Sequence, residues 1–482
     1  MSRPDKDFPL IFERSRPGRR AAAPPTAPEV DLAALLGADQ LRETPPRLPE
    51  VSELDLVRHY TQLAHRQFSI DANFYPLGSC TMKYNPKVHE DAAAMFNDLH
   101  PHQDPSTAQG ALELLFNLQS DLSTLTGMDS FSLQPAAGAH AELAGMLIIR
   151  AYHEANGEGD TRRVVIVPDA AHGTNPATAA MVGYDVKEIP TGDSGEVDLD
   201  AFKAALGPHV AGVMLTNPST IGLFESNILE ISEAAHAVGA QLYYDGANLN
   251  AIVGRARPGD MGFDVMHLNL HKTFTTPHGG GGPGTGPVGV KEHLEKFLPR
   301  PVVRWTGERF DLDYDRPDSI GRLRSFYGNF GNLVRAYAYI RSLGLNGLRD
   351  VSARAVLNAN YLRERFKEIG FEVPFDRINM HEFVAQPPGK LRTLDIAKAL
   401  LDYGMHPMTV YFPLVIKEAM MVEPTETESL ETMDEFVDVL ADILRRAAQD
   451  PEFLKGAPYS TPVRRLDEVG AARKPVLKYG FE

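Results

Sequence analysis

Lys272 stands directly behind an apolar run, in Asn269-Leu270-His271-Lys272-Thr273-Phe274, just ahead of the glycines Gly279–Gly282. A lysine that closes a buried strand is badly placed as a solvated charge. Its pKa moves readily on desolvation, and the neutral amine can form a Schiff base with an aldehyde. An isolated lysine at a strand end more often snorkels to water. The neighbours change that balance. The strand-like run Gln241–Tyr244 ends in Asp245, so one strand–loop–strand unit would set Asp245 and Lys272 on the same rim. A carboxylate there can keep a pyridine nitrogen protonated, or it can simply cap the Asp-Gly turn it begins. Another run, Val164–Val167, leads into Pro168–Pro176 and places His172 at a third strand end. An imidazole there can stack on a flat ring or occupy a surface turn.

Three further features point to the same rim. Gln134-Pro135-Ala136-Ala137-Gly138-Ala139-His140 opens a helical pattern. The small Gly138 and Ala139 would let backbone N–H groups approach a phosphate at the positive helix end, although a tight helix start needs the same residues. Asn217-Pro218-Ser219-Thr220 follows the run Val210–Leu215 and offers hydroxyls, Thr220 among them. His271 can touch a phosphate or a carboxylate, or pack. An amine for an aldehyde, an acid for a ring nitrogen, a ring to stack and a helix end for a phosphate are together what pyridoxal 5'-phosphate requires. The glycine run fails as a nucleotide motif. Gly279, Gly281 and Gly284 satisfy G-x-G-x-x-G, but Pro283 and Pro287 lead into Val288–Val290 instead of a helix, and no Gly-Lys-Ser/Thr follows. The run reads as a flexible loop beside Lys272 that admits a bulky substrate.

Elements that could position these residues alternate along the chain. Apolar runs at 164–167, 182–189, 210–215, 241–244, 265–270 and 288–290 are interleaved with helical patterns at 139–154, 199–206 and 228–238. Such alternation predicts an α/β fold with a mainly parallel sheet covered on both faces, whose chemistry sits at the carboxyl ends of the strands. Ser52–Gln67, with Ser52 as cap, and Thr107–Leu125 read as helices. Beyond about Gly321, long helical patterns (Leu333–Leu343, Val351–Ile369) lead into strand–helix–strand units built from Val373–Phe375, Glu382–Gln386, Ile396–Tyr403, Val410–Phe412 and Ala419–Glu423. We expect an N-terminal arm with helices over 1–100, a large domain over 101–330, a small α/β domain over 331–450 and a tail over 451–482.

Composition bounds the function. The 482 residues suffice for several domains, and a net charge of −16 speaks against nucleic acid as a partner. One cysteine, Cys80, excludes an internal disulfide and a Cys-cluster metal site and suits a reducing cytoplasm. No metal is expected. No apolar run is long enough to span a membrane, Met1–Leu10 has no apolar signal core, and Arg14–Arg20 reads as a solvated or packed arm.

Four strings carry a resemblance: Leu10–Ser15, Tyr75-Pro76-Leu77-Gly78-Ser79-Cys80-Thr81-Met82-Lys83, Asn269–Thr273 with its glycines, and Glu423-Pro424-Thr425-Glu426-Thr427. With them the chain resembles the fold-type I pyridoxal phosphate enzymes, and more narrowly the P-protein family of the glycine cleavage system, over nearly its whole length. The resemblance implies a mainly parallel, seven-stranded-type sheet. It implies that Lys272 carries the cofactor, Asp245 pairs with its ring nitrogen and His172 stacks on its ring. It also implies decarboxylation of glycine, with the aminomethyl group passed to the lipoyl arm of the H-protein. Many relatives are single chains of about twice this length, so a separate subunit 1, in an α2β2 assembly, is implied as partner. Ala136-Ala137 replaces the Asn-Ser usual in single-chain relatives; Ser219, Thr220 or another subunit would then supply a phosphate-binding hydroxyl. The rivals are another enzyme of the same fold (an aminotransferase, an amino-acid decarboxylase or a cysteine desulfurase, with Cys80 as its nucleophile) and a non-catalytic scaffold subunit.

Overall fold

The structure, a computed structural model, describes residues 8–23, 26, 28–279 and 284–480. Most of the glycine run and the first seven residues of the Met1–Leu10 stretch lie outside them. The chain divides into two compact units, Phe74–Ala457 and Met1–Asn73 together with Pro458–Glu482.

The larger unit is built on seven strands: β1 (Ser130–Ser132), β2 (Val164–Pro168), β3 (Asp185–Ile189), β4 (Val210–Thr216), β5 (Gln241–Gly246), β6 (Val265–Leu268) and β7 (Val288–Val290), in the order β1-β7-β6-β5-β4-β2-β3. Only β7 runs against the others, so the sheet is mainly parallel. Its central strands β4, β5 and β6 are buried almost throughout, as parallel strands covered on both faces must be. The two-residue period splits them cleanly. Leu242 and Tyr244 enter a core with Leu122, Phe131, Phe202 and Phe274, whereas Tyr243 enters the opposite core with Ala144, Ile148, Val165 and Val265. Helix Gly138–Ala155 crosses the second face, and Gly145 lets it lie close: a Cβ there would stand 2.4 Å from the Tyr243 ring.

At the edge of this sheet and beyond it the sequence pattern is less telling. β1 is too short and too polar to show a period, and the hairpin of β8 (Val302–Trp305) and β9 (Phe310–Asp313) was not anticipated. The two helices expected around Gly344 form one element, Phe330–Glu368, broken only at that glycine (φ 61°, ψ −175°). Of the expected strand–helix–strand units, Glu382–Gln386 holds β10 (Phe383–Ala385), Ile396–Tyr403 falls on helix Thr393–Asp402 and Ala419–Glu423 holds β12 (Met420–Val422); with β11 (Thr409–Val410) these strands pair antiparallel in the order β10-β12-β11. Val373–Phe375 is not a strand. Pro374 has no N–H to donate, and pairing shrinks to a single bridge between Glu372 and Gln386. Val410–Phe412 stops at Val410, because Tyr411 turns left-handed (φ 59°).

In the smaller unit, helix Glu53–Ala64 begins where expected: Ser52 Oγ accepts the Asp55 N–H. Part of the arginine arm packs there, with Arg19 on Asp55 at 3.0 Å, and the ring of Phe12 stacks on Tyr479 at 4.5 Å. The tail also carries short helices at Pro451–Gly456, in the larger unit, and Glu468–Arg473. Among the described residues no helix is long and apolar enough to cross a membrane.

Candidate functional site

The carboxyl ends of β2, β4, β5 and β6 converge with the N-terminus of helix Gly138–Ala155 on a cavity of about 240 Å³. Lys272, Asp245, His172, Gly138, Ala139, Thr220 and His271 all line it. Lys272 sits on a single helical turn, Leu270–Thr273, immediately after β6. Its Nζ donates to the Ser79 carbonyl oxygen at 2.7 Å.

Asp245 lies opposite, 4 % exposed, at the end of β5. Parallel pairing sets it level with His267 of β6, and its Oδ1 is 3.3 Å from His267 Nε2. Ala247 N–H donates to the same oxygen at 3.0 Å and Asn175 Nδ2 to the other at 3.2 Å. Burial alone would raise this carboxyl's pKa, but His267, the two hydrogen bonds and Lys272 together hold it below the ordinary value. Behind it, Tyr243 hydroxyl meets His267 Nδ1 at 2.7 Å. Glu142, one turn into the helix, accepts from Asn175 at 2.9 Å. Its burial, with Asp245 nearby, pushes its pKa up to about 7. The pair therefore reaches neutral pH with Asp245 as the firmly ionised member.

His172 is exposed beside the cavity, and the Thr174 N–H donates to its Nδ1 at 3.2 Å, so that nitrogen carries a lone pair. The His271 ring meets His278 at 4.8 Å, and burial pushes its pKa down to about 3, so it serves as a neutral ring. Thr220 reaches the wall, but its hydroxyl hydrogen goes to the Ala170 carbonyl, leaving only lone pairs for a ligand. Ser219 Oγ accepts from the N–H groups of Ile221 and Leu223 in its own turn.

Several site residues were not read from the sequence. Glu142, Asn175 and His267 form the hydrogen-bonded floor around Asp245, and Thr216 closes β4 on the wall. Their signals were a charge on an otherwise apolar helix stripe, a histidine within an apolar strand and a strand-end hydroxyl. Outside the cavity lining, His381, Glu382 and Glu423 are fully buried with ligand-type atoms within 4.8 Å of one another.

These residues suit pyridoxal phosphate on observations independent of any motif. Among the described residues no side chain caps the first N–H groups of the 18-residue helix that begins at Gly138, which leaves donors and a positive dipole end for a phosphate. A Cβ on Gly138 would fall 1.7 Å from Asn269 Oδ1, so only glycine allows the helix start to lie there. Thr216 Oγ1, Asn248 Oδ1, Asn269 Oδ1 and His271 Nδ1 are buried at the cavity without a hydrogen-bond partner among the described residues, and such groups are costly unless a ligand satisfies them.

Comparison with known proteins gives a consistent picture. A family described as "Glycine cleavage system P-protein" matches residues 35–311, and another described as "Glycine dehydrogenase, C-terminal domain" matches residues 351–453. The chain is 65% identical over 476 residues to a Thermus thermophilus protein named "Probable glycine dehydrogenase (decarboxylating) subunit 2", covering 98% of this chain and 99% of that one. A protein of the same name from Caldanaerobacter subterraneus is 57% identical over 478 residues, covering 98% of each. Among solved structures, glycine decarboxylase (P-protein) of the glycine cleavage system, in inhibitor-bound form, superposes with a TM-score of 0.73 at 23% identity, covering 86% of this chain and 94% of that one. The apo cysteine desulfurase of Thermococcus onnurineus NA1 superposes at 0.61 and 15% identity, covering 78% and 96%. At these identities the superpositions speak for the fold.

Proposed function

Since the chain belongs to the P-protein family of the glycine cleavage system, as a subunit 2 of the decarboxylating glycine dehydrogenases, which use pyridoxal phosphate, we propose that the cavity around Lys272 is where glycine loses its carboxylate. Lys272 would hold the cofactor's aldehyde carbon, Asp245 its ring nitrogen and His172 a face of its ring. The N–H groups of Gly138 and Ala139, with the free Thr216 hydroxyl, would hold its phosphate. Bound there, pyridoxal phosphate supplies an electron sink for the charge left as CO2 departs.

The protein's own part is electrostatic and positional. Asp245 would meet the ring nitrogen as an ionised group, because Ala247 N–H, Asn175 and His267 stabilise its charge. Glu142 takes up a proton near neutrality, so the floor does not collect two full negative charges. A fixed charge of this kind lowers a transition-state barrier without reorganising at the moment of reaction. The observation that carries this reading is the meeting of Asp245 and Lys272 at the ends of adjacent strands, in one cavity with an uncapped helix end.

The subunit 2 naming of the relatives implies a partner, subunit 1. We take the assembly to be α2β2, the aminomethyl acceptor to be the lipoyl arm of the H-protein, and the compartment to be the cytoplasm, in keeping with a single cysteine. A cysteine desulfurase reading is disfavoured at Cys80, whose thiol burial pushes up to about 11, far from a ready thiolate. The test is glycine–bicarbonate exchange with lipoylated H-protein, with and without subunit 1. Exchange that needs both chains and glycine supports the proposal. Exchange by this chain alone refutes the two-subunit arrangement, and no exchange with both refutes the activity.

A further inference from the structure

The string Tyr75–Lys83 runs between the small antiparallel sheet and Lys272, and its middle is tied down at almost every polar backbone group. Ser79 and Thr81 both take left-handed backbone conformations (φ 62° and 50°), which residues with side chains keep only where their surroundings fix them. The Ser79 N–H donates to Glu382 Oε2 at 2.6 Å. Thr81 donates its N–H and its hydroxyl to the two oxygens of Glu423, at 2.8 and 2.7 Å. The Gly78 carbonyl accepts from Thr409 Oγ1 at 2.8 Å, and the Cys80 carbonyl meets His278 Nε2 at 3.0 Å. Between the two anchored N–H groups, the Ser79 carbonyl is the group that meets Lys272 Nζ, at 2.7 Å. Farther along, Lys83 Nζ donates to the Thr273 carbonyl at 2.9 Å and to Glu426 at 2.6 Å. The string therefore grips the turn that carries Lys272 from two sides.

The anchoring acids are costly residues to keep. Glu382 directly precedes β10 and Glu423 directly follows β12, flanking the register pair Phe383↔Val422, so they face each other across two antiparallel strands, both 0 % exposed. Burial, together with Glu423, drives the Glu382 carboxyl well above the usual range. Two buried carboxyls opposite one another cannot both ionise cheaply, and an apolar pair would close this sheet at lower cost. Both oxygens of Glu423 are already committed to Thr81, which argues for a hydrogen-bonding clamp over a cation site.

We propose that Glu382 and Glu423 are positioning residues: by fixing the N–H groups of Ser79 and Thr81 they aim the Ser79 carbonyl oxygen at Lys272, and so set where the lysine amine stands whenever it is not joined to an aldehyde. The flexible stem of a lysine would otherwise leave that amine many places to go. The inference rests on reading Lys272 as the cofactor-bearing amine.

The test uses this chain with its partner subunit, freed of cofactor, as wild type and as Glu382→Ala, Glu382→Gln and Thr81→Ala. Two quantities are read: hydrogen exchange at the Ser79 and Thr81 amides, and the rate at which added pyridoxal phosphate becomes fixable on Lys272 by borohydride. Loss of one buried hydrogen bond predicts, for Glu382→Ala, exchange about fivefold faster and fixation about fivefold slower. Glu382→Gln, which keeps an oxygen acceptor, restores most of both. Thr81→Ala shows smaller changes of the same sign and carries the test if Glu382→Ala does not fold. Faster exchange with unchanged fixation overturns the proposal, since the string would then be scaffold only; unchanged exchange in both alanine variants overturns it as well. Fixation of the wild type on a different lysine overturns the reading beneath it, and shows itself before any substitution is compared.

Discussion

Asp245→Asn is the most informative single substitution, because it removes a charge while keeping nearly the same shape. In the native site one oxygen accepts from Ala247 N–H at 3.0 Å and lies 3.3 Å from His267, and the other accepts from Asn175 at 3.2 Å. An asparagine keeps one acceptor for Ala247 and turns an NH2 group toward the Asn175 amide. Asn175 Oδ1 is without a partner among the described residues, so that side chain can flip to accept the new donor, at the expense of its bond to Glu142. The local cost is then that of one buried hydrogen bond, about 1–2 kcal/mol, too little to unfold a core of this size. The catalytic cost is larger. Loss of one preorganised group at a developing charge is worth about 2.7–4 kcal/mol, so kcat should fall by about 10²–10³ with cofactor still bound. The assay is glycine–bicarbonate exchange with saturating lipoylated H-protein, normalised to bound cofactor. A kcat within about threefold of wild type would refute the role given to Asp245.

Other consequences can be checked without turnover. Gly138→Ala places a Cβ 1.7 Å from Asn269 Oδ1; overpacking of this kind costs about 1–3 kcal/mol, so we expect a lower melting temperature and weaker pyridoxal phosphate binding, measured by calorimetry and titration. Glu142 has its pKa raised from 4.5 to about 7 by burial and Asp245. Between those values the unfolded chain sheds a proton that the folded chain keeps, so the stability this group contributes is present below pH 4.5 and is lost as pH rises through 7. The loss is at most about 3 kcal/mol. Glu142→Gln should flatten urea-unfolding stability between pH 5 and 8, and an unchanged slope would contradict this. Lys83→Met strands Glu426, whose side chain is 7% exposed against 1% for Lys83; breaking such a pair costs about 3–5 kcal/mol. Urea unfolding should show that loss, with partial recovery when Glu426→Gln is added.

The parts of the site that a sequence can display are those tied to strand ends. Lys272, Asp245 and Thr220 each follow an apolar run, and a parallel sheet brings such ends to one edge, so their meeting was legible before any coordinates. What those side chains do there was not. The direction of the Thr220 hydroxyl, toward Ala170, depends on a turn fifty residues away. His267 reaches Asp245 only because β5 and β6 pair in that register, and Glu142 only because its helix crosses the same two strands. The small sheet was legible in its segments, since Glu382–Gln386 and Ala419–Glu423 each hold a strand, but not in its pairing. Its strands are two or three residues long, and the antiparallel order β10-β12-β11 joins segments distant in sequence that no local pattern pairs.

The central claim is that one amine, Lys272, carries the cofactor. It is tested most directly by reducing the complex of this chain and its partner subunit with borohydride and mapping the product by mass spectrometry. The account predicts an absorbance band near 400–430 nm that reduction abolishes, with the pyridoxyl group on Lys272 and none taken up by Lys272→Ala. A pyridoxyl group on any other residue, or a reducible band that survives Lys272→Ala, would contradict it.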